Sequence, residues 1–432
     1  MIYKEALEYL DSLASFGIRL GLMRIERLTE LLGRPQEAYP TIHITGSNGK
    51  GSTAAMTAAA LTASGLRTGL FTSPHLVSYT ERMQVDGVPV GEADFARTMD
   101  AVKRAAERMT AEGMESPTTF EVLTAQAFLW FAEQKVDYAV IEVGLGGLLD
   151  STNIITPVVS AITNVVLEHA DRCDGTLEGV ARHKAGIIKP DVPVVTAAQG
   201  EPLEIIRREA AAKNAPLYVL DESFSVESGA VSEQGRALSF SAPGEGFSAW
   251  PCMLSLTGAY EAENAAVALM LLALLAKRDG RVSMEAARGA LAAVRWPGRF
   301  ELMKVGGRRV VVDGAHNPAG MAALRRSLDE AFPSEPRVFL LGLLGDRDIG
   351  AMLAALLRPE DRVVVTSPVS ERAADPEAVA ALLGGRAEAE RDRERALSRA
   401  LALTETDGLL CCAGSLYLIG PLMPLLSERR EL

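Results

Sequence analysis

Residues 41–63 read Thr-Ile-His-Ile-Thr-Gly-Ser-Asn-Gly-Lys-Gly-Ser-Thr-Ala-Ala-Met-Thr-Ala-Ala-Ala-Leu-Thr-Ala. Thr41–Ile44 is a strand-like run and Ala54–Ala63 is helix-prone. Between them lies a glycine-rich turn with a single lysine, Lys50. Strand, glycine turn and helix N-terminus form the layout of a phosphate cradle. Glycines let backbone N–H groups approach phosphate oxygens, the lysine adds a point charge, and the helix dipole favours the anion. The spacing departs from the usual P-loop: only Ser47 and Asn48 separate Gly46 from Gly49-Lys50, where the common pattern has a longer spacer. A plain strand-to-helix turn with an exposed lysine has the same local sequence, so the surrounding chain has to decide.

The chain has 432 residues and is 48% hydrophobic, enough for two or three domains of about 150 residues with sizeable cores. A net charge of −12 argues against a nucleic-acid or anionic-membrane surface. The start, Met1-Ile2-Tyr3-Lys4-Glu5, turns charged at once and does not read as a signal peptide. The longest strongly apolar stretch, Ala265–Ala276, is shorter than the ~20 residues a bilayer span needs. The four cysteines show no metal-type spacing, and vicinal Cys411-Cys412 in an apolar run reads as buried thiols. A soluble cytoplasmic protein is expected.

Unbroken apolar runs at Ile42–Thr45, Tyr138–Val143, Val158–Val166 and Val192–Thr196 alternate with helical patterns at Ala54–Ala63, Phe95–Glu112 and Glu121–Glu133. That alternation predicts an α/β fold whose mostly parallel sheet is covered on both faces. Tyr218–Leu220, Ala237–Ser241 and Ser248–Ser255 are short and turn-rich, and predict a small antiparallel addition. Helices are expected at Asn264–Lys277 and Ser283–Val294, followed by a break at Trp296-Pro297-Gly298. Strands at Arg309–Val312, Val338–Leu341, Arg362–Thr366 and Leu409–Cys412 then start a second, smaller Rossmann-like α/β domain. The expected division is 1–296, a P-loop-type ATP-binding domain, and 297–432. Two such domains joined by a hinge suggest a cleft where a nucleotide meets a second substrate.

Several residues carry chemistry. Glu142 ends a buried strand and precedes Gly144-Leu145-Gly146-Gly147. Strand carboxyl ends face the ligand crevice of such sheets, and beside a nucleotide a carboxylate suits Mg²⁺. His169, after Leu167-Glu168 at the next strand end, reads as a metal or substrate contact. Of the five histidines, only His43 looks like an ordinary strand residue. Lys184, in His183-Lys184-Ala185-Gly186, reads by default as a surface lysine; buried, it would lose its proton readily. Asp313 and His316 end a strand of the second domain, and Arg299 just past the hinge is placed to reach a phosphate across a closing cleft.

Taken together the motifs resemble the folylpolyglutamate synthase/dihydrofolate synthase family of the Mur ligase group. The resemblance runs from about residue 17 to 420. It is carried by Thr45-Gly-Ser-Asn-Gly-Lys-Gly-Ser52, Thr72-Ser-Pro-His-Leu76, Thr119-Phe-Glu121, Glu142-Val-Gly-Leu-Gly-Gly147, Lys184-Ala-Gly-Ile-Ile188, Trp296-Pro-Gly-Arg-Phe-Glu301, Asp313-Gly-Ala-His-Asn-Pro318 and Gly414-Ser-Leu-Tyr417. It implies an ATP-dependent ligase that joins L-glutamate to dihydropteroate or a reduced folate through an acyl phosphate. It implies ATP contacts from Asn48, Gly49, Lys50, Gly51, Asn264, Arg299 and Asp313. Ser73, Glu142, His169 and a carbamylated Lys184 would serve two Mg²⁺ sites. Catalysis would rest on Lys50, Lys184 and His316. Thr118, Phe120, Glu121, Asp150 and Ser151 would line the pterin side, and Ser415 would lie near the glutamate or folate. A monomer is the default.

The chain departs from the family pattern at Leu148 for an arginine, Glu168 for an aspartate, His183 for a glutamate, and Arg347 for a lysine. Tyr260-Glu261 and Glu263 stand where His-Gln and a second Gln are common. Two alternatives stay open at this stage: a Mur-type ligase for another carboxylate, and a nucleotide-binding paralogue without ligase activity.

Overall fold

The computed structural model describes residues 1–13, 17, 19–168, 173–232 and 234–429. Its contacts group into two compact units. The first comprises Met1–Gly229, Ala237–Leu254 and Glu263–Val294; the second comprises Ala230–Arg236, Ser255–Ala262 and Arg295–Leu432.

The first unit is built on an eight-stranded sheet. Its strands are β1 Thr41–Thr45, β2 Thr68–Phe71, β3 Met83–Val85, β4 Val88–Pro89, β5 Tyr138–Glu142, β6 Val159–Ile162, β7 Val194–Thr196 and β8 Leu217–Val219, in the order β4-β3-β2-β5-β1-β6-β7-β8. β1 is central, parallel to β5 on one side and β6 on the other. The chain crosses from one side of β1 to the other between β5 and β6, so the crevice at their carboxyl ends is the topological switch point. All five residues of β1 are buried, as a strand covered on both faces requires. The helix Lys50–Ala63 lies on one face against β2, β5 and the helix Met284–Ala293. Its small Ala and Thr side chains allow close packing, and ten of its residues are buried. A core of Leu10, Ile25, Leu28, Phe71, Phe95, Phe128 and Phe131 lies among the helices Tyr3–Leu13, Met23–Leu31, Glu92–Ala111 and Thr119–Gln134.

Two sequence expectations need correction. Tyr218–Leu220 is not part of an antiparallel addition: β8, Leu217–Val219, pairs in parallel with β7 as the sheet's last strand. The addition is a separate sheet of β9 Ser225–Ser232, β10 Gly235–Ala242 and β11 Phe247–Leu254, in the order β11-β10-β9. Its connections are far too short for a parallel crossover. The opposite edge carries β3 and β4, antiparallel and absent from the sequence reading. β6 is also shorter than its apolar run, because Thr163 and Asn164 leave the strand to back the glycine turn.

The second unit holds a six-stranded sheet: β12 Glu301–Val305, β13 Arg308–Val312, β14 Arg337–Leu341, β15 Arg362–Val365, β16 Ala387–Ala389 and β17 Leu409–Ala413, ordered β12-β13-β17-β14-β15-β16. All neighbours are parallel except β12–β13. Val311, Phe339, Leu341, Val363 and Leu409 form its core with Leu324 and Leu328 of the helix Pro318–Ala331. Cys411 and Cys412 are buried thiols in β17, as the sequence suggested. Among the described residues no helix is long and apolar enough to cross a membrane.

Candidate functional site

In the first unit, Gly46 has φ +150° and Gly49 has φ +83°. A Cβ on Gly46 would lie 1.8 Å from Thr163 Oγ1, and one on Gly49 2.0 Å from Asn264 Oδ1. The turn therefore has no room for side chains at either position. It is pinned from behind by β6's extension. Ser47 N–H donates to Asn164 O (2.9 Å), Asn48 N–H to Asn164 Oδ1 (2.9 Å), and Thr163 Oγ1 to Asn48 O (2.7 Å). The Asn48 N–H is thus already satisfied by the protein. The helix Lys50–Ala63 starts at this turn, and its N-terminal N–H groups and dipole favour an anion there. Lys50 Nζ lies across the turn, donating to Gly46 O (2.9 Å) and Ser47 O (3.0 Å).

Lys184 reaches the same carbonyl. It lies in the last turn of the helix Leu177–Ala185, is 3% exposed, and donates to Gly46 O at 2.7 Å, with Glu168 Oε1 3.7 Å away. Burial, and then nearby Lys50, push its amine down to about 8, while Glu168 opposes the shift. At neutral pH roughly a tenth of such an amine is unprotonated. Glu142, buried at the end of β5 and paired in register with Ile44, accepts a hydrogen bond from Ser73 N–H at 2.9 Å. Thr45 Oγ1 ties the cradle to the glycine turn after β5 by donating to Gly146 O (2.7 Å). The structure therefore brings Lys50, Lys184, Asn264, Glu142 and Ser73 around one crevice. His169 lies outside the described residues. Among the described residues no group of three or more His, Cys, Asp or Glu side chains is gathered as a metal site.

The expected pterin-side residues adjoin this turn. Phe120 lies over Gly144, where a Cβ would be 2.4 Å from its ring. Thr118 caps the helix Thr119–Gln134 in a box with Glu121. Both Glu121 oxygens are engaged by Arg24 Nε at 3.1 Å, and Oε2 also takes Thr118 N–H (2.7 Å). Ser151 Oγ meets Thr124 Oγ1 at 3.0 Å. Asp150 is buried, with Oδ1 accepting from Thr152 N and Oγ1 and Oδ2 from Leu145 N. Burial pushes its carboxyl up and these donors counter it.

Sequence reasoning missed the end of this network. Because Thr152 Oγ1 donates to Asp150 (2.6 Å), His43 Nε2 is the donor in its 2.9 Å bond to Thr152 Oγ1. His43 therefore supports Asp150 and the glycine turn from inside β1. Burial, and then Lys189, push its imidazole down to about 3. The unfolded chain takes this proton near pH 6.5 and the folded one does not. Stability contributed by neutral His43 is thus full above about pH 6.5 and lost as pH falls toward 3. His75, held down to about 4 by burial and Arg82, acts in the same window. We expect urea midpoints to drop across that window and His43→Gln to flatten the slope; an unchanged slope would count against a buried neutral His43.

The second unit gathers its own cluster. Asp313, at the end of β13, accepts from Tyr260 Oη (2.5 Å), Phe300 N (2.9 Å) and Ala315 N (2.8 Å). Arg299 packs over Gly314, where a Cβ would lie 1.9 Å from Nη1. His316 Nδ1 lies 2.8 Å from Gly314 O; a carbonyl only accepts, so Nδ1 carries a proton. Ser415 is buried and caps the helix Leu416–Glu428, and Gly414 N–H bonds Ala315 O, so its turn adjoins Asp313–His316. A surface cavity of about 530 Å³ beside Met23, Arg27 and Gln36 is lined by none of the motif residues.

The cradle and the second-unit cluster coincide with two family patterns. The Mur ligase middle domain matches residues 44–272 and the Mur ligase, glutamate ligase domain matches 298–416. The dihydrofolate synthase/folylpolyglutamate synthase of Mycobacterium tuberculosis is 38% identical, over 84% of this chain and 78% of its own length. The chain belongs to the folylpolyglutamate synthase/dihydrofolate synthase family. The M. tuberculosis folylpolyglutamate synthase complexed with ADP and AMPPCP superposes with a TM-score of 0.89 at 34% identity, over 99% of this chain and 100% of that one. E. coli FolC in complex with DHPP and ADP superposes with a TM-score of 0.86 at 30% identity, over 99% of this chain and 98% of that one. The mostly parallel sheet with a smaller α/β unit is thus the fold of this family.

Proposed function

We propose that this chain is an ATP-dependent ligase that adds L-glutamate to a folate, as a folylpolyglutamate synthase and also a dihydrofolate synthase. The observation that carries this reading is the convergence of Lys50 and Lys184 on the Gly46 carbonyl, in a chain that belongs to this family. In the first step a carboxylate oxygen of the pteroate or folate substrate attacks the γ-phosphorus, the bond to the β-phosphate oxygen breaks, and ADP leaves. In the second, the glutamate amine attacks the acyl carbon, the carbon–oxygen bond to phosphate breaks, and phosphate and a proton depart.

The chain's task is to bring anions together and hold them in line. Lys50 exchanges its two carbonyl contacts for phosphate oxygens, and the helix N-terminus receives the same group. Asn264 and Asp313 contact the nucleotide and Arg299 offsets developing charge. His316 lies in the turn that adjoins the Ser415 motif, where the resemblance places the glutamate or folate. Phe120 supplies an apolar wall for a pterin ring, with Thr118, Asp150 and Ser151 beside it. Ser73 and Glu142 offer hard oxygen donors that fit Mg²⁺. A carbamate on Lys184 would add a further oxygen pair, and the buried amine suits its formation. When bound, Mg²⁺ neutralises phosphate charge and polarises the transferred group. His169 would join this set. We place the domain boundary near residue 296, and expect a cytoplasmic monomer.

The test is ADP release with Mg²⁺-ATP and L-glutamate, dihydropteroate and tetrahydrofolate being supplied separately. Turnover with both establishes two ligase activities, and turnover with one assigns a single step. Absence of glutamate-dependent turnover with either would refute the proposal.

A further inference from the structure

Tyr260 occupies a position where the family commonly has histidine, and its contacts are specific. Its half-buried ring packs on the second unit's core and stands over Gly258, where a Cβ would be 3.1 Å from the ring. Its hydroxyl points inward to Asp313 Oδ2 at 2.5 Å. An ionised carboxylate has about four acceptor positions. On Asp313, Oδ2 uses two of them, for Tyr260 Oη and Phe300 N, and Oδ1 uses one, for Ala315 N. The three donors come from three separate turns, so the carboxylate cannot rotate without losing at least one. The remaining acceptor is on Oδ1.

We propose that Tyr260 is a positioning residue that fixes the Asp313 carboxylate so that the last acceptor of Oδ1 takes a hydroxyl or amino donor of the nucleotide. This rests on the proposed contact between Asp313 and ATP. Two electrostatic features agree with the geometry. Burial, and then Asp313, push the phenol well above 10, which keeps it a donor at every physiological pH. Burial also pushes Asp313 up, and the Tyr260 hydrogen bond is the largest opposing influence, so the phenol favours the ionised acceptor.

Tyr260→Phe deletes the hydroxyl and keeps the ring. KM should be measured for ATP, 2′-deoxy-ATP, 3′-deoxy-ATP and inosine triphosphate, each lacking one donor or carrying an altered one. In the native protein one analogue should show a raised KM. In Tyr260→Phe the KM for ATP should rise about tenfold, the scale of one hydrogen bond to a charged group. That analogue's disadvantage should shrink, with kcat and the KM for glutamate within about twofold. Tyr260→His, which restores a ring donor, should recover part of the ATP affinity. A KM for ATP and an analogue discrimination equal to the native values would overturn the proposal, as would an equal rise in KM for all substrates, the mark of a merely structural residue. Asp313→Asn separates the two claims. If it raises the KM for ATP while Tyr260→Phe does not, the role of Tyr260 fails. If it leaves the KM for ATP unchanged, the nucleotide contact of Asp313 fails first.

Discussion

Lys50→Met should lower glutamate-dependent ADP formation by about three orders of magnitude, on the scale of removing one preorganised charge from a transition state, roughly 4 kcal/mol. The side chain keeps most of its length, one atom short, and loses its charge and donors. In the free protein those donors serve just two carbonyls of its own turn, Gly46 O and Ser47 O. Folding should therefore be nearly unaffected, and the thermal midpoint should stay within a few degrees of the native protein. The defect should fall mainly on kcat, because the γ-phosphate gains charge as it transfers. Turnover within threefold of the native enzyme would remove Lys50 from the reaction and return the glycine turn to a structural connection.

The second large effect concerns Lys184. Lys184→Met should reduce turnover by two to three orders of magnitude, the range seen when one preorganised polar group is removed from an active site. Because the native amine is pushed down to about 8 by burial, enough neutral amine exists near pH 7 for reaction with carbon dioxide. Native turnover should accordingly fall when bicarbonate and carbon dioxide are stripped from the assay, and recover when they are returned. Small carboxylates such as acetate should partly restore Lys184→Met, by supplying the oxygen pair that methionine lacks. Full activity of Lys184→Met would sink the role. Loss of activity in that variant without any bicarbonate dependence in the native enzyme would leave a lysine that acts as an ammonium toward Gly46 O and Glu168.

These two lysines show how differently the chain discloses its parts. Lys50 is legible because everything that places it is within a few residues: a strand, Gly46, Gly49 and a helix start. Lys184 is locally unremarkable. Its importance depends on a carbonyl 138 positions away in sequence and on burial by other elements. Asn164, which holds the cradle through both its carbonyl and its side chain, sits 116 positions from Asn48 and has no motif of its own. An asparagine after a buried strand, opposite a glycine turn, was the only available hint. His43, a histidine in an apolar strand, has an ordinary reading in the sequence. Only the approach of Thr152, 109 positions on, shows which ring nitrogen carries the proton. The family resemblance places Glu121 on the pterin side, and in the fold Arg24 and Thr118 engage its carboxylate. Strand assignment failed in the same manner. Leu217–Val219 has the short, turn-flanked look of a hairpin strand, and its parallel place beside β7 follows from the helix Gly200–Ala212 carrying the chain back across the sheet.

By itself the sequence determined the alternation of strands and helices, the two α/β regions, the cradle and the family, because periodicity, glycine turns and motif spacing are properties of neighbouring residues. Tertiary structure alone decided which polar atoms are already satisfied: the Asn48 N–H by Asn164, the Asp150 oxygens by Thr152 and Leu145, and all but one acceptor of Asp313. Burial makes an unpaired polar atom costly, so each such atom is paired with whatever the fold brings near. That pairing joins residues far apart in the chain, and no local pattern records it.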